Sequence, residues 1–225
     1  MKRLFLSYIM FFITLAFCFN AQALTTTQTL DGSTNSQWFL PDGYDPYPGD
    51  LDFQRILPGA NGINAYYRGY SEDWGWTHSV TFDTTSPFTI LSATLSIESW
   101  DVDTSGGNDC LRPDEIDIIK VGTSNGSGGV SLGNLEGNNK TWSTTTFTLD
   151  SEALSKLVIN DNTGTLQVWI DISSLEHTNG YSWDYWFVTL KSSTLTVNYI
   201  PVPYPIILGS LGVFIVGWLR KYRAI

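Results

Sequence analysis

Apolar and polar residues alternate with a period of two through the second half of the chain, and this rhythm constrains the fold more than any other feature. Leu166, Val168, Ile170 and Ile172 interleave with Gln167, Trp169 and Asp171, and Leu195, Val197 and Tyr199 repeat the pattern. Side chains two apart share one face of a strand, whereas a helix needs a spacing of three or four, so these segments are expected to be half-buried strands. From His78 onward, stretches rich in Thr, Val, Ile and aromatics recur between clusters of Gly, Asn and Asp. The expected strands are Ser79–Phe82, Ile90–Asp101, Glu115–Val121, Val130–Leu135, Trp142–Leu149, Leu166–Ile172, Trp186–Lys191 and Thr194–Tyr199. Segment 24–69 is rich in turns, marked by Leu40-Pro41-Asp42-Gly43 and Tyr47-Pro48-Gly49-Asp50, and few strands are expected in it. Ser151 to Ile159 suits a short helix with Ser151 as N-cap, and Gly122 to Gly129 suits a flexible hairpin loop. The fold expected is all-β, a jelly-roll-like β-sandwich over residues 24–199.

The two ends are of another kind. Lys2 and Arg3 precede an apolar stretch from Leu4 to Phe19, and Ala21-Gln22-Ala23 places small residues where signal peptidase needs them. Residues 1–23 are therefore expected to be a signal peptide cleaved between Ala23 and Leu24. Phe17 stands beside Cys18 where a lipidation site needs a small residue, and cleavage leaves Cys110 as the single cysteine of the mature chain, so no internal disulfide is expected. Segment 200–225 is apolar from Ile206 to Leu219 apart from Ser210, carries Gly209, Gly212 and Gly217, and ends in Arg220, Lys221 and Arg223. The 16 residues from Tyr204 to Leu219 span about 24 Å as a helix against a hydrocarbon core of ~30 Å. A marginal membrane span with its basic residues on the cytoplasmic side of the inner membrane is expected, the alternative being a buried core helix.

A short Pro motif, a Gly-studded apolar helix and a terminal Arg/Lys cluster, following a signal-bearing exported domain, resemble the PEP-CTERM sorting signal of exosortase substrates. Pro203-Tyr204-Pro205 lies where that family has Pro-Glu-Pro, with Tyr204 in place of Glu. The resemblance covers about the last 26 residues and implies processing by an exosortase-like membrane protease; a simple single-pass anchor is the alternative. Asp73-Trp74-Gly75-Trp76-Thr77-His78-Ser79, Ser99-Trp100-Asp101-Val102-Asp103, Trp142-Ser143-Thr144-Thr145-Thr146-Phe147 and the stretch from Asp184 to Leu195 resemble, in their order, exported β-sandwich domains of other PEP-CTERM proteins. That likeness implies fold and export and brings no catalytic residue with it.

All 22 acidic residues fall between Asp31 and Asp184, whereas five of the 12 Lys and Arg stand at the two ends, so the central domain is more acidic than the chain's net charge of −10. Nucleic acid is excluded as a partner on charge. The densest acidic run is Asp101, Asp103, Asp109, Asp114, Glu115 and Asp117. Asp101 with Asp103 and Glu115 with Asp117 each share a strand face, and two such pairs meeting at strand ends would suit a structural Ca²⁺, which takes six to eight oxygens. The alternative is a set of solvated loop carboxylates, and no EF-hand pattern is present because Ser105 and Arg112 occupy ligand positions. Trp74 and Trp76 share a face if that stretch is extended, and they either stack on sugar rings or fill the core.

Neither His78 nor His177 lies in a His-x-x-x-His or Gly-x-Ser-x-Gly pattern, and nothing selects an opposed carboxylate pair. Cys110 sits beside Asp109, where a thiolate is disfavoured. The function expected is non-enzymatic: an exported cell-surface or extracellular-matrix protein, associated with exopolysaccharide, anchored by its C-terminal helix and released after sorting. The alternative is a carbohydrate-binding β-sandwich stabilised by Ca²⁺.

Overall fold

The structure, a computed structural model, describes residues 22–34, 38–40, 68–69, 73–84, 87–102, 115–138, 140–172 and 187–202. The signal segment up to Ala21 and the whole of Pro203 to Ile225, with the Pro motif and the basic cluster, lie outside the described residues. The chain divides into two compact units, Thr25–Asp83 with Ile90–Asn198, and Met1–Leu24 with Thr84–Thr89 and Tyr199–Ile225.

Among the described residues, ten strands and one short helix follow in order. They are β1 (Leu24–Asp31), β2 (Arg68–Gly69), β3 (Trp74–Thr81), β4 (Phe88–Trp100), β5 (Asp117–Val121), β6 (Val130–Asn134), β7 (Trp142–Thr148), α1 (Ser151–Leu154), β8 (Val158–Asn160), β9 (Thr163–Ile172) and β10 (Phe187–Pro201). They form two five-stranded antiparallel sheets, consistent with a β-sandwich: β1-β10-β4-β7 with β2 on β10, and β3-β9-β5-β6 with β8 on β9. Consecutive strands β3 and β4 lie in different sheets, as do β4 and β5, β6 and β7, and β9 and β10.

Alternation puts the core between the sheets. Ala93, Leu95 and Ile97 of β4 and Leu166, Val168, Ile170 and Ile172 of β9 are all buried, with their odd- or even-numbered neighbours turned outward. Each such aliphatic side chain contributes about 1.5–3 kcal/mol when fully withdrawn from water. In β10 the buried set shifts phase: Val188 and Leu190 are followed by Ser193, Leu195 and Val197. The shift falls between Leu190 and Ser193 and brings Ser193 into the core. In the smaller unit, Val202 N donates to Pro87 O at 2.6 Å, and Phe88 meets Tyr199 edge to face with ring centroids 5.6 Å apart.

Several sequence expectations need correcting. Segment 24–69 opens with an eight-residue strand, β1; its Thr and Gln residues carry no apolar alternation, so nothing in hydropathy marks it. β3 starts at Trp74 rather than Ser79 because Trp74, Trp76, His78 and Val80 alternate as the inward face. The stretches expected as separate strands, Trp186–Lys191 and Thr194–Tyr199, fall in one strand, Phe187–Pro201, with Trp186 outside the described residues. The N-cap of α1 is Asp150, whose Oδ1 accepts from Glu152 N at 3.0 Å and Ala153 N at 2.9 Å, so the helix starts at Ser151 instead of being capped by it.

Candidate functional site

Among the described residues of the larger unit, three arrangements carry polar chemistry: a buried chain between the sheets, an acidic end of the second sheet, and the outer face of the first sheet.

The buried chain begins at Trp76, whose Nε1 donates to Ser193 Oγ at 3.0 Å. Ser193 Oγ lies 2.8 Å from His78 Nε2, and His78 Nδ1 lies 3.2 Å from Gln28 Oε1. Ser79 N donates to the same Gln28 oxygen at 2.6 Å, which fixes the orientation of that amide. Because Ser193 accepts from Trp76, its own proton is free to go to Nε2, leaving Nδ1–H to donate to Gln28. This neutral tautomer gives each donor one acceptor. Burial pushes the His78 imidazole down from 6.5 to about 4. The Ser–His pair has hydrogen-bond geometry, yet Ser193 and His78 are fully buried in the core, so no substrate reaches the hydroxyl.

Gln28 and its neighbour also close an edge. Ser79 N and Thr81 O are backbone groups of β3, the open edge of the second sheet, and Gln28 Oε1 and Thr26 Oγ1 from β1 bond to them at 2.6 and 2.8 Å. An edge strand of one sheet thereby occupies the edge of the other with side chains.

At the acidic end, Glu115 and Asp117 share a face as their spacing requires, and that face points inward: the two residues are 1% and 0% exposed. Asp101 follows β4 in a left-handed conformation with φ of 67°, and its Oδ1 accepts from Lys140 N at 2.7 Å. Asp103 lies outside the described residues. No group of three His, Cys, Asp or Glu able to hold a metal occurs among the described residues. On the outward side, Asp73 Oδ1 caps β9 by accepting from Ile172 N at 3.0 Å, and Lys120 Nζ pairs with Asp171 Oδ2 at 2.5 Å. Burial, with some repulsion from Asp171, raises the Asp73 carboxyl above its usual range.

Trp74 and Trp76 are 2% and 4% exposed. Trp76 packs edge to face on Phe39 with centroids 5.5 Å apart. Two indoles withdrawn into the core offer no ring face to a sugar, so of the two roles the sequence left open their burial supports core filling and, for Trp76, anchoring of the buried chain. Ala23 is exposed and precedes β1 directly, with Leu24 as the first strand residue.

The outer face of the first sheet was not singled out by sequence. β1 contributes Thr25, Thr27 and Thr29; β10 contributes Asn198, Thr196 and Thr194; β4 contributes Ser92, Thr94 and Ser96; and β7 contributes Thr148 and Thr146. Hydroxyls pair across strands: Thr29 with Thr194 at 2.9 Å, Thr27 with Thr196 at 3.3 Å, and Ser96 with Thr146 at 2.8 Å. Asn198 joins three strands, accepting from Thr25 Oγ1 at 2.7 Å and donating to Ser92 Oγ at 3.0 Å. Further along the same face, Lys191 Nζ meets Glu98 Oε1 at 2.9 Å with their side chains 42% and 28% exposed. One step beyond, Trp100 is opposite Trp142 in register, with centroids 5.5 Å apart, and Lys191 Nζ stands 5.5 Å from the Trp142 ring centroid. Trp100 Nε1 and the buried Thr189 Oγ1 find no hydrogen-bond partner among the described residues. The signal for this face was a polar period of two, repeated in four separate strands.

No family model matches the chain, and no curated protein matches it. Among solved structures, it is similar to the "Structure of infectious bursal disease virus Gt strain" at 11% identity and a TM-score of 0.23, covering 61% of this chain and 37% of that one. A second, "Structure of infectious bursal disease virus Gx strain", has 12% identity and a TM-score of 0.24, covering 81% and 57%. The third, "Crystal structure of infectious bursal disease virus VP2 subviral particle", has 10% identity and a TM-score of 0.22, covering 83% and 58%. The chain thus spans less than two thirds of the length of each. Likenesses this slight define neither its fold nor its function.

Proposed function

We propose that the chain is a non-enzymatic, exported cell-surface or extracellular-matrix protein whose working part is a jelly-roll sandwich. The jelly-roll assignment is supported by the strand orders β1-β10-β4-β7 and β3-β9-β5-β6, with the two latest strands lying inside their sheets. Export is supported by one coincidence of boundaries. β1 begins at Leu24, the residue after the Ala21-Gln22-Ala23 cleavage signal, and β10 ends at Pro201, just before Pro203-Tyr204-Pro205. The described strands therefore start and stop where a removable leader and a sorting or anchoring segment would adjoin them. Signal peptidase acts at one end and an exosortase-like membrane protease at the other, with Arg220, Lys221 and Arg223 held on the cytoplasmic side.

The test is expression of the full chain in a bacterium with an intact export pathway, followed by N-terminal sequencing and fractionation. The mature protein is expected to begin at Leu24, to sit in the membrane fraction, and to become soluble and extracytoplasmic when truncated after Tyr199. A product that keeps Met1 and stays in the cytoplasm overturns the proposal.

A further inference from the structure

Much of a sandwich's outer surface is solvated with mixed charges, which keep it soluble. The outer face of the first sheet departs from that pattern. On a chain with 22 acidic residues, the rows from Thr25, Asn198 and Ser92 to Thr29, Thr194, Ser96 and Thr146 carry no ionised side chain. Of the charges that border these rows, Glu98 and Lys191 neutralise each other at 2.9 Å, and Asp31 ends the β1 row beyond Thr29. The rows themselves are uncharged across four adjacent strands and their border is acidic, which disfavours a polyanion as partner and leaves hydroxyl and amide groups to do the recognising.

Its dimensions suit a chain molecule. From Ser92 to Trp100, β4 advances about 27 Å, and the four strands together are about 14 Å wide at a spacing of ~4.8 Å. Several sugar rings fit along that length. The lateral pairs Thr27–Thr196, Thr29–Thr194 and Ser96–Thr146 use one donor each, and every hydroxyl oxygen retains acceptor capacity.

A second observation stands at one end. Trp100 and Trp142 form a tilted pair that is partly exposed, beside the accessible Lys191 and Glu98 head groups, which donate and accept respectively. Here Trp100 Nε1 and Thr189 Oγ1, on strands that are neighbours in the sheet, lack hydrogen-bond partners among the described residues. A buried polar group left unsatisfied costs about 1–3 kcal/mol. Aromatic rings with one donor and one acceptor head group beside them match a pyranose ring, which offers C–H faces and hydroxyls.

We propose that the outer face of the β1-β10-β4-β7 sheet binds a neutral, hydroxyl-rich polysaccharide, laid along the Thr/Ser/Asn rows with one sugar ring against Trp100 and Trp142. The proposal stands on this face alone and does not depend on the export reading. Anionic glycans are disfavoured by the acidity of the domain around the face.

The experiment is retention of the purified full-length chain on a panel of neutral polysaccharides (cellulose, chitin, β-1,3-glucan, xylan, galactomannan and dextran), with alginate as the polyanionic control. Retention by at least one neutral polymer and none by alginate is expected. Trp142→Ala, and separately Thr27→Lys with Thr146→Lys, should weaken it by about tenfold or more. Thr27 and Thr146 are exposed, so the double variant keeps its fold, checked by an unchanged melting temperature. Silence across the neutral panel, retention by alginate alone, or retention indifferent to both variants overturns the proposal. Inhibition of ice recrystallisation without polysaccharide retention also overturns it, and would make the rows a surface that orders water.

Discussion

Protonating His78 should loosen the sandwich from its centre. The imidazole is neutral in the folded protein down to about pH 4, whereas in the unfolded chain it titrates at 6.5. Above pH 6.5 neither state binds the proton and the histidine contributes no pH dependence. As pH falls through the window from 6.5 to about 4, the unfolded chain takes up a proton that the folded chain refuses, so stability is lost at about 1.4 kcal/mol per pH unit. The loss is roughly 3 kcal/mol across the window and levels off below it. A full charge on the ring would also reverse the direction of the Nε2 bond, leaving the Ser193 hydroxyl proton to find another acceptor in the core. Urea denaturation followed by Trp fluorescence, at pH 7.5, 5.5 and 4, for the wild type and His78→Gln, isolates the term because all carboxylates are common to both. The wild type should be the more stable protein at pH 7.5, and its advantage should shrink by roughly 3 kcal/mol by pH 4. An advantage that does not change with pH would refute the reasoning.

Other perturbations have equally defined outcomes. Ile97→Ala leaves a cavity at a fully buried position of β4 and should cost about 2–5 kcal/mol in the same denaturation assay. Gly75→Ala places a methyl group 2.7 Å from Val168 O and 2.8 Å from Trp169 Cε3, so a loss of about 1–3 kcal/mol is expected. Asp150→Ala removes the cap of α1 and should lower stability by about 0.5–2 kcal/mol, while Ser151→Ala should do far less. Exchange of Ca²⁺ for EDTA should leave the melting temperature unchanged, since Glu115 and Asp117 face the core and Asp101 already accepts from Lys140 N. A rise with Ca²⁺ that Asp101→Ala abolishes would put a cation there.

Strands whose buried face is aliphatic were legible from the sequence. β4, β7 and β9 were found within a few residues because Leu95, Ile97, Phe147, Leu166, Val168 and Ile170 alternate with polar neighbours. β1 was not legible, because its outward face is Thr and its inward positions include Gln28, so the two faces differ little in hydropathy. The same physics hid the outer face of the first sheet: Thr25, Ser92, Thr146 and Thr196 become neighbours only when strands far apart in sequence are paired. Pairing of Glu115 with Asp117 on one face followed from their spacing, but which face, core or solvent, depended on the register with Ile172 of β9. Trp74 and Trp76 carried the opposite ambiguity, since an aromatic alternation is identical on a binding face and in a core.

The strand order also dictates when folding can finish. β10, the last strand among the described residues, lies between β1 and β4, and β9 lies between β3 and β5, so each sheet's interior positions stay empty while the chain emerges. Thr25 waits for Asn198, 173 residues later. Contacts this distant make folding slow, and unpaired strands held open in the meantime invite association with other chains. A β1 composed mainly of Thr and Gln is poorly suited to such adhesion. Its weak hydropathy, which conceals it in the sequence, lets the first strand remain in water until the last one arrives.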